Sequence, residues 1–216
     1  MKFAAAAITL ALCAVASGHA HAQGAQQKMA AIQMPEAPAL VPVKLNPAAT
    51  AILVSDMIDP ICKSQPKCVA TMIPLAKAFL ERARKAGVMV VYSTQEARKD
   101  SWMPDVAPQP GDPFIASKGQ DRFFDTALEK TLKDKGVQTL VIIGWKNSGS
   151  VLYTSIGATL RGFTVVVGRD AALGPSAWEE AIGDYQMLTQ SSANATNEPL
   201  KTRATTLSRT DWITFN

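Results

Sequence analysis

The sequence predicts an α/β protein in which a parallel β-sheet is flanked by helices on both faces. From Thr50 onward, short apolar runs rich in β-branched residues alternate with amphipathic segments, a pattern typical of parallel strands joined by crossover helices. Most of these runs are apolar at every position, which indicates burial on both faces of the sheet. Three amphipathic segments end at a glycine, the residue type that commonly terminates helices.

The predicted strands and helices alternate along a single domain. The strands lie at residues 51–54, 88–92, 114–116, 139–143 and 163–167. The helices lie at residues 66–86, 125–135, 148–161 and 175–190, the first three ending at Gly87, Gly136 and Gly162 and the last opening at Pro175. Ligands of such open sheets bind beyond the carboxyl ends of the strands, so polar residues that follow strands are the first candidates for chemistry.

The first 22 residues are predicted to form a cleavable signal peptide. Met1 and Lys2 precede an apolar run at residues 3–16, and Ala20-His21-Ala22 offers small residues at both positions that a signal peptidase reads. We expect cleavage after Ala22 and a periplasmic or secreted mature protein. The run is shorter than the about 20 apolar residues that cross a bilayer, so no membrane span is expected after cleavage.

The segment between the signal and the first strand is predicted to be an arm. Residues 23–48 are rich in Ala, Gln and Pro and show no sustained periodicity, which is typical of a partly disordered leader. The domain itself is predicted to span residues 49–216 and is long enough to bury a substantial core.

The composition of the mature chain excludes several classes of site. Both histidines, His19 and His21, lie in the predicted signal, which excludes Ser-His-Asp and Cys-His catalytic sets and histidine metal sites. No cysteine spacing fits a metal site, and neither a metal nor another cofactor is predicted. The net charge of +4 falls to +3 with the loss of Lys2, and the basic residues are scattered, so nucleic-acid binding is not predicted.

Two cysteines, Cys62 and Cys68, remain in the mature chain. Disulfides persist in exported proteins, and this spacing suits a bridge across a loop. We predict that the two cysteines are paired. Two free structural thiols are the alternative, because the distance between the Cα atoms decides whether a bridge can form.

Three polar sites follow predicted strands. Asp56 comes directly after four apolar residues, where a catalytic carboxylate would be partly desolvated; an N-cap or loop aspartate is the alternative. Lys118 follows the third strand, and its position alone indicates a solvated lysine. Residues 144–151, Gly-Trp-Lys-Asn-Ser-Gly-Ser-Val, predict a strand-to-helix turn whose backbone N–H groups could hold an oxyanion. A helix start capped by Asn147 or Ser148 is a compatible alternative.

Taken in order, these motifs resemble the isochorismatase-like hydrolase family, also called the cysteine hydrolases, over about residues 48–172. In that family an Asp ends the first strand, and a Lys, an aromatic residue and Thr-x-Leu follow. A Gly then precedes the nucleophile by six residues, a helix ends in Arg-Gly, and Asp-Ala follows the next strand. The matching positions are Asp56, Lys118, Phe123-Phe124, Thr126-Ala127-Leu128, Gly144, Ser150, Arg161-Gly162 and Asp170-Ala171.

The resemblance implies a three-layer α/β/α fold and a role for each of these residues. Asp56 would take the proton of the nucleophile, Lys118 would stabilise the charged state, and Ser150 stands where the family carries a nucleophilic cysteine. The resemblance also implies a cis peptide between Trp145 and Lys146. The residues expected to shape the oxyanion pocket are Trp145, Lys146, Asn147 and Gly149.

Several departures from the family pattern bear on the chemistry. A serine hydroxyl is far less acidic than a thiol, whose pKa is about 8.5, and is less readily activated by a carboxylate. Family members that cleave a vinyl ether lack the cysteine and use an acidic Asp, a route that would leave Ser150 as a pocket hydroxyl. The metal-dependent branch needs histidines that are missing here. Ile58 replaces the usual Gln two residues after the Asp.

Two functions are therefore carried forward from the sequence. The first is an exported hydrolase of a small amide, imide or ether that uses Asp56, Lys118 and Ser150. The second is a catalytically inactive small-molecule binding protein that keeps the family pocket. The expected partner in both cases is a small substrate or ligand, and the family's tendency to assemble favours a homo-oligomer.

Overall fold

The structure is a computed structural model that describes residues 36–190 and 193–216. The predicted signal peptide and residues 23–35 of the predicted arm lie outside the described residues. In the described part, a six-stranded sheet has the order β4-β3-β2-β5-β6-β7, with all neighbours parallel, and β1 pairs with β8 separately. The strands are β1 Val43–Leu45, β2 Thr50–Ser55, β3 Met89–Thr94, β4 Phe114–Ala116, β5 Thr139–Gly144, β6 Thr164–Gly168, β7 Thr205–Ser208 and β8 Ile213–Phe215.

Helices cover both faces of the sheet, as the apolar strands require. On one face Ile52 and Val54 of β2 belong to the same buried cluster as Phe79 of α2. On the other face Leu53 lies in a cluster with buried residues of α3, α4 and α5. The helices are α1 Asp59–Cys62, α2 Ile73–Lys85, α3 Leu128–Asp134, α4 Leu152–Leu160 and α5 Ala177–Thr189. The fold is therefore the predicted single α/β domain with helices on both faces.

The strand order creates a switch point between β2 and β5. From β2 the chain builds outward through β3 and β4, then crosses back to place β5 on the opposite side of β2. Ser55 at the end of β2 is in register with Gly144 at the end of β5. A Cβ atom at Gly144, where φ is 133°, would lie 1.9 Å from the carbonyl oxygen of Ser55, so this close approach requires glycine. The segments that follow β2 and β5 consequently emerge side by side.

All five predicted strands are present, with ends that differ by at most two residues, but the helices begin later than predicted. A π-helical turn, Cys68–Met72, precedes α2, and another, Asn147–Val151, precedes α4. α5 starts after Ser176, whose hydroxyl accepts the backbone N–H of Glu179, so Pro175 lies outside the helix. The three predicted stop glycines, Gly87, Gly136 and Gly162, all have positive φ, as a helix C-terminus favours.

The described part of the predicted arm belongs to the domain. Val43 and Leu45 of β1 are buried, and the strand pairs with β8 at the other end of the chain. The side-chain amide of Asn197 donates to the carbonyl of Ala39 at 2.9 Å. The domain therefore extends further toward the N-terminus than the boundary predicted at residue 49. Periodicity could not indicate this, because a three-residue strand is too short to show any.

Cys62 and Cys68 form a disulfide, with their Cα atoms 5.0 Å apart and both side chains fully buried. The bridge joins the end of α1 to the turn that leads into α2. Ile61, next to the first cysteine, lines the cavity described below. Within residues 36–190 and 193–216, no helix combines the length and the apolar character needed to cross a bilayer.

Removing this disulfide is expected to weaken the fold. Replacing Cys62 and Cys68 with alanine should lower the free energy of unfolding by about 2 kcal/mol, because a bridge restricts the unfolded chain even across a short loop. For a domain of this size, that is a fall in Tm of about 4–8 °C. Thermal unfolding followed by circular dichroism measures it, with reduced wild-type protein as the control. An unchanged Tm in both samples contradicts the prediction.

Candidate active site

Asp56 follows β2 and points its carboxylate toward the segment after β5. Its backbone φ of 51° lies in the left-handed region, which aspartate tolerates better than most residues. Oδ1 accepts a hydrogen bond from Thr94 Oγ1 at 2.8 Å, and Oδ2 accepts one from Ser150 Oγ at 3.3 Å. The guanidinium of Arg122 also donates to Oδ2. Asp56 thus lies within hydrogen-bond distance of two hydroxyl groups and a guanidinium, and it accepts from the guanidinium, which carries donors only.

Arg122 is the cation that contacts Asp56. Its side chain is only 5 % exposed, and it forms a salt bridge with the carboxylate. Its Nε donates to Ser55 Oγ at 3.2 Å and its Nη1 to the carbonyl of Gly119 at 3.1 Å. Burial lowers the pKa of the Arg122 guanidinium, and the charge of Asp56 opposes that shift. Because the buried Arg122 binds Asp56, Ser55 and Gly119 at once, it fixes the position of the Asp56 carboxylate relative to the end of β2.

Lys118, predicted to be the catalytic cation, lines the same cavity as Asp56 and Ser150, but its ammonium group contacts Asp125. Its Nζ is 2.6 Å from Asp125 Oδ2, and the two side chains are 59 % and 69 % exposed. The structure therefore brings Asp56 and Ser150 together, while Arg122 rather than Lys118 contacts Asp56. The role assigned to Lys118 by resemblance stays a prediction. The only sequence signal for Arg122 is its position directly before the buried Phe123, in a loop without regular periodicity.

Ser150 lies in the turn after β5 and is 6 % exposed. Its hydroxyl is 2.7 Å from the carbonyl oxygen of Trp145 and 3.3 Å from Asp56 Oδ2, and it accepts a hydrogen bond from Ser55 Oγ at 3.2 Å. A serine hydroxyl has one proton, so it donates to the carbonyl or to the carboxylate, not fully to both. Ser55 links the two parts of the site, because it also accepts from Arg122.

The turn that carries Ser150 contains the predicted cis peptide bond between Trp145 and Lys146. Within the described residues, the backbone N–H of Lys146 has no hydrogen-bond partner, whereas those of Trp145, Asn147 and Gly149 are bonded to backbone carbonyls. Trp145, Lys146 and Gly149 line the same cavity as Ser150, and Asn147 lies buried behind it. A free N–H beside a hydroxyl is the arrangement that can bind an oxyanion.

Carboxylates of α5 anchor this turn from behind. Glu179 accepts hydrogen bonds from Lys146 Nζ at 2.8 Å and from Ser148 Oγ at 3.1 Å, and the contact with Lys146 lowers the pKa of Glu179. Asp184 accepts from the side-chain amide of Asn147 at 2.9 Å. Asn147 therefore binds α5 rather than capping a helix, which was the alternative role considered for it.

Asp184 in turn belongs to a buried ion pair. Arg169 Nε is 2.7 Å from both carboxylate oxygens of Asp184, and Arg169 Nη2 is 3.1 Å from Glu180. Burial raises the pKa of Asp184, and the charge of Arg169 opposes the shift. Gly183, next to Asp184, leaves room for Asn147, because a Cβ there would lie 1.8 Å from Asn147 Oδ1. The turn that carries Ser150 is therefore bonded through Asn147 to Asp184, whose carboxylate is in turn bound by Arg169.

Asp56, Arg122 and Ser150 lie together in the lining of a cavity of about 330 Å³ at the switch point of the sheet. This volume suits a small molecule. In the described ranges, no group of three or more His, Cys, Asp or Glu side chains could hold a metal ion. The prediction that no metal or other cofactor takes part stays a prediction.

The fold and the site define a class of α/β protein in which the Asp56 carboxylate and the Ser150 hydroxyl meet at the switch point between β2 and β5. Comparison with known proteins identifies the family. A family model of the isochorismatase domain matches residues 50–196, which is more than half of the chain. The chain therefore belongs to the isochorismatase family of hydrolases. The family prediction made from the sequence motifs is confirmed.

Solved structures of the same fold have low sequence identity to this chain. A cysteine hydrolase from Pseudomonas syringae pv. phaseolicola has a TM-score of 0.65 at 20 % identity, covering 82 % of this chain and 95 % of that one. N-carbamoylsarcosine amidase from Thermoplasma acidophilum has a TM-score of 0.61 at 21 % identity, covering 75 % and 96 %. Structural similarity at about 20 % sequence identity establishes a shared fold and does not extend to activity.

A curated relative matches over a shorter stretch. Maleamate amidohydrolase from Pseudomonas putida is 34 % identical over 65 residues, which is 30 % of this chain and 30 % of that protein. The chain thus aligns with less than a third of the length of this relative.

Proposed function

We propose that this member of the isochorismatase family hydrolyses a small amide or imide, with Ser150 as the nucleophile and Asp56 as the acceptor of its proton. The observation that carries the proposal is the separation of 3.3 Å between Ser150 Oγ and Asp56 Oδ2 in a cavity of small-molecule size. A nucleophile within hydrogen-bond reach of a base that is itself oriented by a third group is the geometry of covalent catalysis. Arg122 is that third group here.

The proposed reaction has two stages. Ser150 Oγ attacks the carbonyl carbon, its proton passes to Asp56, and the oxygen that becomes negative accepts a hydrogen bond from the N–H of Lys146. When the C–N bond breaks, Asp56 returns the proton to the leaving nitrogen, which leaves an ester on Ser150. Water then attacks the ester carbon, again losing its proton to Asp56, and the Ser150 hydroxyl is restored as the acid departs.

Cleavage of a vinyl ether, the third chemistry considered from the sequence, fits the site less well. That route needs Asp56 to donate a proton to the substrate. The neighbours of Asp56 are the hydroxyl groups of Thr94 and Ser150 and the guanidinium of Arg122, and the guanidinium can only donate to it. Because Arg122 carries donors only, this geometry suits Asp56 as the acceptor of the Ser150 proton rather than as a proton donor to the substrate, and it therefore favours an amide or imide.

The test is a panel of small amides, imides, esters and vinyl ethers, assayed with wild-type protein and with Ser150→Ala. We expect amide or imide turnover in the wild type and a loss of at least about 10³-fold in the variant, because the nucleophile is gone. Ser148→Ala is the matched control, since its hydroxyl binds Glu179 outside the reacting pair. Turnover that survives in Ser150→Ala excludes the serine mechanism.

A binding protein without catalysis is the second candidate, and one observation favours it. Ser150 Oγ lies closer to the Trp145 carbonyl, at 2.7 Å, than to Asp56. A hydroxyl whose proton is held by a carbonyl is not activated. A ligand that stabilises the protein in a thermal-shift screen and is recovered unchanged after long incubation supports this candidate, whereas its hydrolysis to a carboxylic acid, with cleavage of the C–N bond, supports the hydrolase.

We also propose that the protein is exported. The support is the amino-terminal pattern of Lys2, an apolar run and Ala20-His21-Ala22. Protein isolated from cells that produce the full chain is expected to begin at Gln23 and to occur in the periplasmic or medium fraction. Amino-terminal sequencing after fractionation checks both. An intact Met1 in the cytoplasmic fraction contradicts the proposal, and Ala22→Asp, which should block cleavage, serves as the control.

A further inference from the structure

Ser55, the last residue of β2, carries a hydroxyl group that has no role in the two stages of the proposed reaction. Its side chain is fully buried, and it lies on the same face of the strand as Leu53, because side chains alternate between the two faces of a strand. Leu53 belongs to the buried cluster that includes residues of α4, the helix that follows Ser150. The hydroxyl of Ser55 accordingly reaches the turn that carries Ser150.

The direction of the hydrogen bond between Ser55 and Ser150 is set by Arg122. Nε of Arg122 lies 3.2 Å from Ser55 Oγ, and a guanidinium nitrogen can only donate. Ser55 Oγ therefore accepts from Arg122, and its single proton is left for another partner. Within residues 36–190 and 193–216, the only other group in hydrogen-bond contact with the Ser55 side chain is Ser150 Oγ, at 3.2 Å. Ser55 consequently donates to Ser150.

Four side chains of the site form a closed ring of hydrogen bonds. Arg122 donates to Ser55 and, through a different nitrogen, to Asp56 Oδ2. Ser55 donates to Ser150, whose Oγ is 3.3 Å from the same oxygen of Asp56. Since Ser150 accepts from Ser55, its own proton points to Asp56 or to the carbonyl of Trp145. All four side chains are largely or fully buried, and hydrogen bonds in such a site are stronger than in water.

A buried serine at the end of a strand can have a purely structural role, and Ser93 has one. Ser93 is in register with Ser55 at the carboxyl end of β3 and is equally buried. Its hydroxyl donates to the backbone carbonyl of Ile115 at 2.8 Å, which joins β3 to β4. The Ser55 hydroxyl instead binds two side chains of the site. Ser55 is therefore placed to act on the reacting group, whereas Ser93 stabilises the sheet.

Ser150 needs a group of this kind if it is to act as a nucleophile. A serine hydroxyl is difficult to activate without an adjacent base, and residues 22–216 contain no histidine. A donor directed at Ser150 Oγ stabilises the negative charge that grows on this oxygen as its proton moves to Asp56. The guanidinium of Arg122 strengthens the effect, because hydrogen bonds in a chain polarise one another.

We propose that Ser55 is a further catalytic residue, which donates a hydrogen bond to Ser150 Oγ and stabilises the negative charge on this oxygen in both stages of the reaction. During attack, the proton of Ser150 passes to Asp56, while Ser55 keeps its own. During hydrolysis of the ester, Ser150 Oγ leaves with the electron pair of the C–O bond, and Ser55 donates to it until Asp56 returns the proton. The inference rests on the proposed function for the reaction itself, but the stabilisation of charge at position 150 is measured without a substrate.

The test measures the pKa of a thiol placed at position 150. In Ser150→Cys protein, the rate of alkylation by iodoacetamide is followed against pH. Mass spectrometry of the peptide that contains the introduced thiol separates it from the natural cysteines. Adding Ser55→Ala is expected to raise the thiol pKa by about 1 unit, because the thiolate loses a hydrogen-bond donor.

Control variants keep every charged group around the thiol in place. These groups are Asp56 and Arg122 in the ring, Arg98, Lys118 and Lys146 in the cavity lining, and Glu179 and Asp184 of α5 behind the turn. Ser93→Ala, which removes a buried hydroxyl from the neighbouring strand, should leave the thiol pKa unchanged. Ser55→Thr should keep it low and Ser55→Val should raise it. These two side chains have nearly the same size, so they repeat the comparison if Ser55→Ala does not fold.

Turnover gives the second measurement. In protein that keeps Ser150, Ser55→Ala is expected to lower kcat about 10-fold with little change in KM, because the donor acts on the reacting oxygen and not on the bound substrate. A thiol pKa that does not respond to loss of the Ser55 hydroxyl, or that rises equally in Ser93→Ala, overturns the inference, as does an unchanged kcat in Ser55→Ala. A thiol pKa that depends on Ser55, in a protein that turns over no amide or imide, supports the hydrogen bond and contradicts the hydrolase.

Discussion

Arg122→Gln is expected to lower both the stability of the domain and its turnover. The salt bridge to Asp56 joins side chains that are 5 % and 15 % exposed, so removal of the guanidinium leaves a desolvated carboxylate without its cation. Breaking such a pair costs about 3–5 kcal/mol. In a domain of this size, that lowers Tm by about 6–20 °C.

The loss of turnover has a separate cause. Without Arg122, Asp56 loses the group that orients its carboxylate toward Ser150, and Ser55 loses the donor that fixes its hydroxyl. Thermal unfolding measures the first effect, and kcat measured well below the lowered Tm measures the second. Arg122→Lys keeps the charge but can replace only part of the three contacts, so intermediate values are expected for both quantities.

Lys118→Gln is the matched control for Arg122→Gln. It removes one positive charge from the same cavity, but its salt bridge to Asp125 is 59 % and 69 % exposed, and such pairs contribute about 1 kcal/mol or less. A small change in Tm and a smaller fall in kcat are expected. If Lys118→Gln stops turnover while Arg122→Gln keeps it, the catalytic cation is Lys118, as the family resemblance implies, and Arg122 is structural.

Asp56→Asn is expected to lower kcat by about 10²–10⁴-fold, the usual contribution of a general base. Asparagine is the better choice than alanine, because the residue at this position has a φ of 51°, which asparagine adopts at little cost. The substitution therefore removes the negative charge while keeping the backbone and the size of the side chain. A kcat within a few-fold of the wild type contradicts a role for Asp56 as the base.

The double variant Asp56→Asn with Arg122→Gln separates catalysis from stability. Each single variant leaves one buried charge without its partner, whereas the double variant leaves neither. Residues in direct contact show non-additive effects, so the double variant should lose less stability than the two single losses predict together. Its turnover should stay as low as that of Asp56→Asn. Recovery of turnover together with stability would show that the single variants fail only because they unfold.

Much of the site could be predicted from the sequence, because its residues follow neighbouring strands of the parallel sheet. Asp56 and Ser150 lie far apart in the chain, yet both follow strands that are neighbours in a parallel sheet, so the carboxyl ends bring them together. Strands β2, β3, β5 and β6 could be predicted for the same kind of reason, since an apolar run buried on both faces is visible without any structure. The resemblance to the family additionally predicted the turn after β5 and the cis peptide bond between Trp145 and Lys146.

Other elements had no such signal. β7 is Thr-Thr-Leu-Ser, four buried residues of which three are polar, so a search for apolar runs passes over it. β1 and β8 are three residues each and pair from opposite ends of the described chain. Strands of this kind are stabilised by their neighbours rather than by a pattern of their own.

The sequence by itself determined the α/β class, the family and the positions of the acid and the hydroxyl, because strand burial and strand-end motifs are local properties. The tertiary structure alone decided which cation reaches the acid. Lys118 and Arg122 are four residues apart in one loop, and the path of that loop turns Arg122 inward to Asp56 and leaves Lys118 beside Asp125. An irregular loop has no period from which side-chain direction can be read, so only the packing around it determines that choice.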